Sequence, residues 1–75
     1  MAEALETVLI TDDRRRIYAH LQAGRRAYVQ ESDRVVDLET GTDLGTHIAA
    51  LELIHGGLAI WCEGCDWVVE SANAD

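Results

Sequence analysis

Apolar positions along this chain change period several times, and each change marks an element. Ile17, Tyr18 and Leu21 recur at helical spacing, behind Thr11 and Asp12, which suit an N-cap, and ahead of Gly24, which suits a stop. The pattern predicts a helix over residues 12–23. Residues 27–30 (Ala-Tyr-Val-Gln) and 35–38 (Val-Val-Asp-Leu) then read as two strands, and Glu31-Ser32-Asp33 between them is short enough for a hairpin loop. Gly41 closes that unit. Residues 43–55 carry the clearest helical pattern, with Leu44, His47, Ile48, Leu51, Ile54 and His55 on the i, i+3, i+4, i+7 ladder, ended by Gly56-Gly57.

The last apolar segment, residues 58–70, is broken only by Glu63-Gly64. A two-residue loop with glycine second suits a tight hairpin, which would make Cys62 and Cys65 the last cross-strand pair. Leu58 then faces Val69 and Ile60 faces Trp67 on one apolar side, while Ala59, Trp61, Asp66, Val68 and Glu70 share the other. At the start of the chain, Thr7 to Thr11 is β-branched enough for a short strand, although residues 2–5 suit a helix start equally well. The expected fold is therefore α+β: a small, mainly antiparallel sheet with two helices on one face, ordered (β)α-β-β-α-β-β and ending in a C-x-x-C β-hairpin.

With 75 residues the chain has room for one core, so a single domain over residues 1–75 is expected, with disordered tails at 1–4 and 71–75. Such a domain often needs a metal, a disulfide or a partner subunit, because the apolar gain barely exceeds the entropy lost on folding. No run of residues has the length and apolarity of a membrane span or of a secretory leader, which points to a cytoplasmic protein with reduced thiols.

The net charge of −8 is unevenly distributed. All six basic residues are arginines between residues 14 and 34, and no Lys or Arg follows Arg34, whereas eight carboxylates do. An excess of this sign repels nucleic acid at long range, so direct nucleic-acid binding is not expected. The arginines read best as a solvated helix face with some pairing to the acidic half.

Cys62-Glu63-Gly64-Cys65 is the one recognisable chemical motif. A thioredoxin-like redox site needs its first cysteine at a helix N-terminus, and Trp67-Val68-Val69 argues for strand instead. Residues 61–67 resemble a zinc-knuckle hairpin with half its ligand set, because C-x-x-C across a tight turn aims two thiolates at one point. His47 and His55 are about 12 Å apart along a helix, too far for one ion to reach both. Antiparallel return of the last hairpin brings His47 toward the cysteines, so Cys62, Cys65 and His47 are the candidate zinc ligands, completed by water, His20 or a second subunit. The simpler reading, which we favour, makes the cysteines small buried packing residues and needs no cofactor.

No nucleophile–base pair, carboxylate pair or phosphate-binding loop stands out; Gly41-Thr42-Asp43-Leu44-Gly45 lacks the lysine of such a loop. An enzyme is not expected. The sequence points instead to a small acidic protein–protein interaction or regulatory domain that self-associates, with its partner either a second copy or another protein, and with no membrane contact. Its expected partner surface is Trp61, Glu63, Asp66, Val68 and Glu70, since Trp61 has no burial partner within the hairpin. Two alternatives remain: an acidic, DNA-mimicking inhibitor of a nucleic-acid-binding protein, and a zinc-knuckle-stabilised binding module.

Overall fold

The structure, a computed structural model, describes residues 8–72. Helix α1 spans Asp12–Gln22. Its cap is Thr11, whose hydroxyl accepts the Arg14 N–H at 3.2 Å, and Asp12 and Asp13 place negative charge in the first turn, where the helix dipole favours it. At the other end Gly24 turns left-handed, with φ of 86°, so that the Gly24 and Arg25 N–H groups reach back to the Leu21 and His20 carbonyls. Thr7 to Thr11 does not become a strand over its described residues, 8–11. The carbonyls of Val8 and Leu9 are taken by the Arg14 and Arg15 guanidiniums, at 3.1 and 2.8 Å, and among the described residues no strand pairs with them.

Strands β1 (Ala27–Val29), β2 (Arg34–Asp37) and β3 (Asp43–Thr46) follow, then helix α2 (His47–His55) and strands β4 (Ala59–Trp61) and β5 (Val68–Ser71). The five strands form one sheet in the order β3-β2-β1-β5-β4, with every adjacent pair antiparallel. The α+β class and the antiparallel sheet with two helices thus match the reading of the sequence, with one strand added. Residues 43–46, expected as the first turn of the second helix, are β3. Arg34 clamps Asp43 with two hydrogen bonds of 3.1 and 2.6 Å, Val35 pairs with Gly45, and Thr46 becomes the α2 cap by accepting the Ala49 N–H.

Ala27, Val29, Val35, Leu44, Ala59 and Val69 from the sheet share one buried cluster with Ile17 and Leu21 of α1 and with Ala49, Ala50 and Leu53 of α2. Full burial of a side chain such as Leu53 or Ile17 contributes about 1.5–3 kcal/mol, a large share of the stability a domain of this size can have. The buried face of α2 differs from the expected ladder. The small residues Ala49 and Ala50 let the helix approach its neighbours, while Ile48 stays 67% exposed and Leu51 39% exposed. The opposite face of the sheet carries Tyr28, Val36 and Val68, which the register places side by side on β1, β2 and β5.

The last hairpin is not the tight one expected. Trp61 pairs with Val69 and Ile60 with Glu70, so residues 62–67 all belong to the connection. That register puts Trp61 and Val69 on the helix side and Val68 and Glu70 on the other, so the five residues expected to share one partner surface do not share a face. Val68 is also only 6% exposed. Of the expected tails, residues 1–4 and 73–75 lie outside the described residues; Ser71 closes β5 and is buried. No helix among the described residues is long and apolar enough to cross a membrane.

Candidate functional site

The connection between β4 and β5 is shaped by two left-handed residues. The Cys62 N–H donates to the Val68 carbonyl at 2.7 Å, and a turn over Cys62–Cys65 is closed by the Cys65 N–H on the Cys62 carbonyl at 3.3 Å, with Gly64 at φ of 82°. The second left-handed residue is Trp67, at φ of 62°, a conformation that a bulky side chain adopts only under constraint. The constraint is visible: the Trp67 carbonyl accepts the Val29 N–H at 2.9 Å, which ties the end of the loop to β1 before β5 begins.

This geometry leaves Trp67 57% exposed and sets its ring edge-on to Trp61, with centroids 6.0 Å apart and planes at 87°. Trp67 lines two grooves. One, of about 300 Å³, is lined by Tyr28, Val29, Gln30, Glu31, Asp33, His47 and Trp67. The other, of about 310 Å³, is lined by Trp61, Cys65, Asp66 and Trp67. The first sets two aromatic rings beside two carboxylates and a histidine, the second sets two beside one carboxylate. His47 is the first residue of α2; its N–H donates to the Asp33 carbonyl at 2.8 Å, and its Nδ1 lies 3.7 Å from the Asp33 carboxylate.

Charge pairing elsewhere accentuates this end of the molecule. Arg14, Arg25 and Arg34 pair with Glu52, Asp37 and Asp43 of the acidic half, and Arg15 and Arg16 pair with Asp12 and Asp13. Among the described residues, no arginine pairs with Glu31, Asp33, Glu63 or Asp66. Glu31 and Asp33 share one groove with Trp67 and Asp66 shares the other, while Glu63 belongs to the same connection as Trp67.

Both cysteines are free thiols, close together at this hairpin. They are not core residues: Cys65 is exposed and Cys62 half-buried, contrary to the packing role favoured from the sequence. Their exposure follows from the long connection, which leaves both outside the paired residues of β4 and β5. The hydrogen bond with Cys65 and partial burial push the Cys62 thiol up, against the pull of Arg26, whose Nη1 lies 3.8 Å from Cys62 Sγ. His47 lines the groove that does not include the cysteines, and among the described residues no three His, Cys, Asp or Glu side chains converge as a metal-binding group.

A second polar cluster lies at the C-terminal end of α1. Asp37 is 1% exposed and accepts Arg25 Nε and Nη2 at 2.8 and 3.2 Å, the Glu39 and Thr40 N–H groups at 2.8 and 2.7 Å, and a short hydrogen bond from His20 Nε2. Hydrogen bonding to Arg25, then to His20, holds its carboxyl well below the usual carboxylate range. The cluster fastens the end of α1 to the β2–β3 turn, and it takes His20 away from the cysteines. The one local signal for it was Asp37 two and three residues ahead of the N–H groups it captures, an Asx-type turn.

The tryptophan end thus holds Trp61, Glu63 and Asp66 of the expected partner surface and adds Trp67, Tyr28, Glu31, Asp33 and His47. The sequence pattern places Trp67 opposite Ile60 on the apolar side of a tight hairpin, and nothing in it marks a left-handed tryptophan. No protein-family model, curated protein or solved structure matches this chain, so the chemistry of the site alone carries the functional reading.

Proposed function

We propose that this protein is a small, non-enzymatic interaction domain whose partner, another protein, docks on the tryptophan end of the sheet. The observation that carries this reading is Trp67: a large apolar side chain held outward by a constrained backbone, between two grooves. Backbone strain of this kind concentrates where function requires a side chain to be presented, and exposed tryptophan is the residue type most enriched in binding hot spots. A foreign partner fits better than a second copy, because Glu31, Asp33, Glu63 and Asp66 on two facing copies repel each other. The acidic-inhibitor alternative is weakened by the arginines that already match Asp37, Asp43 and Glu52.

A displayed library of random peptides, selected on the wild-type protein and in parallel on Trp67→Ala, tests the reading. The expected result is enrichment of a sequence motif on the wild type that is lost on the variant. Absence of any enrichment, or enrichment that survives in Trp67→Ala with an intact fold, overturns it.

A further inference from the structure

Resting on that reading of the tryptophan end, we infer that its ligand is a basic segment of a partner protein, with arginine side chains seated in the two grooves on either side of Trp67. Both grooves set two aromatic rings beside at least one carboxylate although they are built from different parts of the chain. Tyr28 and Trp67 stand with Glu31, Asp33 and His47 in one, and Trp61 and Trp67 stand with Asp66 in the other. In the first, His47 Nδ1 lies 3.7 Å from the Asp33 carboxylate, which leaves Glu31 as the carboxylate with no basic partner among the described residues. An aromatic ring attracts a cation through the negative potential over its face, and a nearby carboxylate supplies the counter-charge. Arginine suits both partners at once, since its planar guanidinium stacks on an indole while its N–H fork engages a carboxylate.

The protein's own arginines leave these positions open. Arg14, Arg25 and Arg34 neutralise Glu52, Asp37 and Asp43 elsewhere, Arg15 and Arg16 pair within α1, and Arg26 reaches Cys62 Sγ rather than a carboxylate. Among the described residues no arginine pairs with Glu31, Asp33 or Asp66. The grooves, of about 300 Å³ and 310 Å³, are open to solvent and do not enclose a drug-sized molecule. A single side chain entering from an extended segment matches that size better. Trp67 is the shared wall, so one rigidly presented ring serves two cations. The net charge of −8 adds long-range attraction for such a segment.

The test titrates the full-length protein with three synthetic peptides alternating glycine with arginine, lysine or citrulline, the last a neutral isostere of arginine. Binding is followed by the amide and indole N–H signals of an isotope-labelled sample. Shifts are expected at residues 28–33 and 61–67 and at both indoles, with affinity for the arginine peptide about tenfold or more above that for citrulline. Asp66→Asn and Glu31→Gln each weaken binding several-fold, whereas Glu39→Gln, which removes the same charge from an exposed position elsewhere, changes it by less than about twofold. Trp67→Ala abolishes the indole response, and Trp67→Gly repeats the measurement with the backbone relaxed in case the alanine variant folds poorly.

Equal binding of the citrulline peptide, or equal losses from Asp66→Asn and Glu39→Gln, overturns the cation grooves. If the peptide library then yields apolar or acidic ligands that still depend on Trp67, the interaction domain stands and only the arginine assignment falls. If no ligand of any kind depends on Trp67, both fall.

Discussion

Replacing Trp67 by glycine and, separately, by alanine isolates the backbone constraint from the ring it presents. Both variants lose the edge-on contact with Trp61, worth about 0.5–1.5 kcal/mol for a well-made aromatic pair. They differ in what the backbone does at φ of 62°. A Cβ in that region costs about 1–2 kcal/mol, which alanine keeps and glycine removes. Against this, glycine adds freedom to the unfolded chain, worth about 0.4–1 kcal/mol. The difference leaves Trp67→Gly more stable than Trp67→Ala by about 0.5–1 kcal/mol, the reverse of the usual order for these residues inside regular structure. For a domain of this size 1 kcal/mol corresponds to roughly 4–8 °C in Tm, so the two variants should differ by a few degrees. Thermal unfolding followed by far-ultraviolet circular dichroism reads the difference without relying on tryptophan fluorescence, which the substitutions alter. A Trp67→Ala protein as stable as Trp67→Gly, or more so, would show that the loop is not held left-handed at residue 67 in solution and would remove the physical ground for an imposed, outward tryptophan.

Asp37→Asn should lower stability at neutral pH, and its effect should shrink in acid. The folded Asp37 carboxyl titrates below its unfolded value, so its contribution is complete above about 3.9 and fades as the pH falls below that; parallel denaturation profiles of variant and wild type from pH 7 to pH 2 would contradict this. Leu53→Ala should cost about 2–5 kcal/mol, because Leu53 is fully buried among α1, α2 and the sheet, and urea melts would read this as a lower midpoint at similar slope. Brief alkylation near neutral pH should label exposed Cys65 ahead of Cys62, whose thiol is pushed up, as read by peptide mass mapping; faster labelling of Cys62 would reverse the assignment. The same experiment with added zinc tests the knuckle alternative, since a bound ion would shield both thiols.

What the sequence disclosed and what it withheld divide by distance along the chain. Helix α1 and the β1–β2 hairpin depend on neighbours: Thr11 and Gly24 bound the helix, and Glu31 to Asp33 bound the hairpin loop. Strand β3 was hidden because Leu44 fits both a helical ladder and a half-buried strand, and the choice is made by Arg34 and Val35 on another strand. The face of α2 departs from the apolar ladder because fit outweighs apolar size there, and alanines allow a closer approach than Ile48 would. The hairpin register was hidden in a residue type, since tryptophan normally argues for strand. Of the site, Trp61, Glu63 and Asp66 were legible as an exposed acidic–aromatic cluster, while Tyr28, Glu31, Asp33 and His47 join it only through the sheet order. The Asp37 cluster was out of reach for the same reason, because His20 and Arg25 arrive from another element.

The sheet order has a consequence for biosynthesis. Strand β1 bonds on one side to β2, which emerges immediately after it, and on the other to β5, which emerges last of the strands. Until Val68–Ser71 has left the ribosome, the middle strand of the finished sheet is an open edge, with Val29 and Tyr28 available to any extended chain nearby. α2 must also carry the chain from one rim of the sheet to the other before β4 can pair. Nascent chains stalled before Val68 should therefore be sticky and protease-sensitive, and protection should appear in a single late step once β5 closes onto β1.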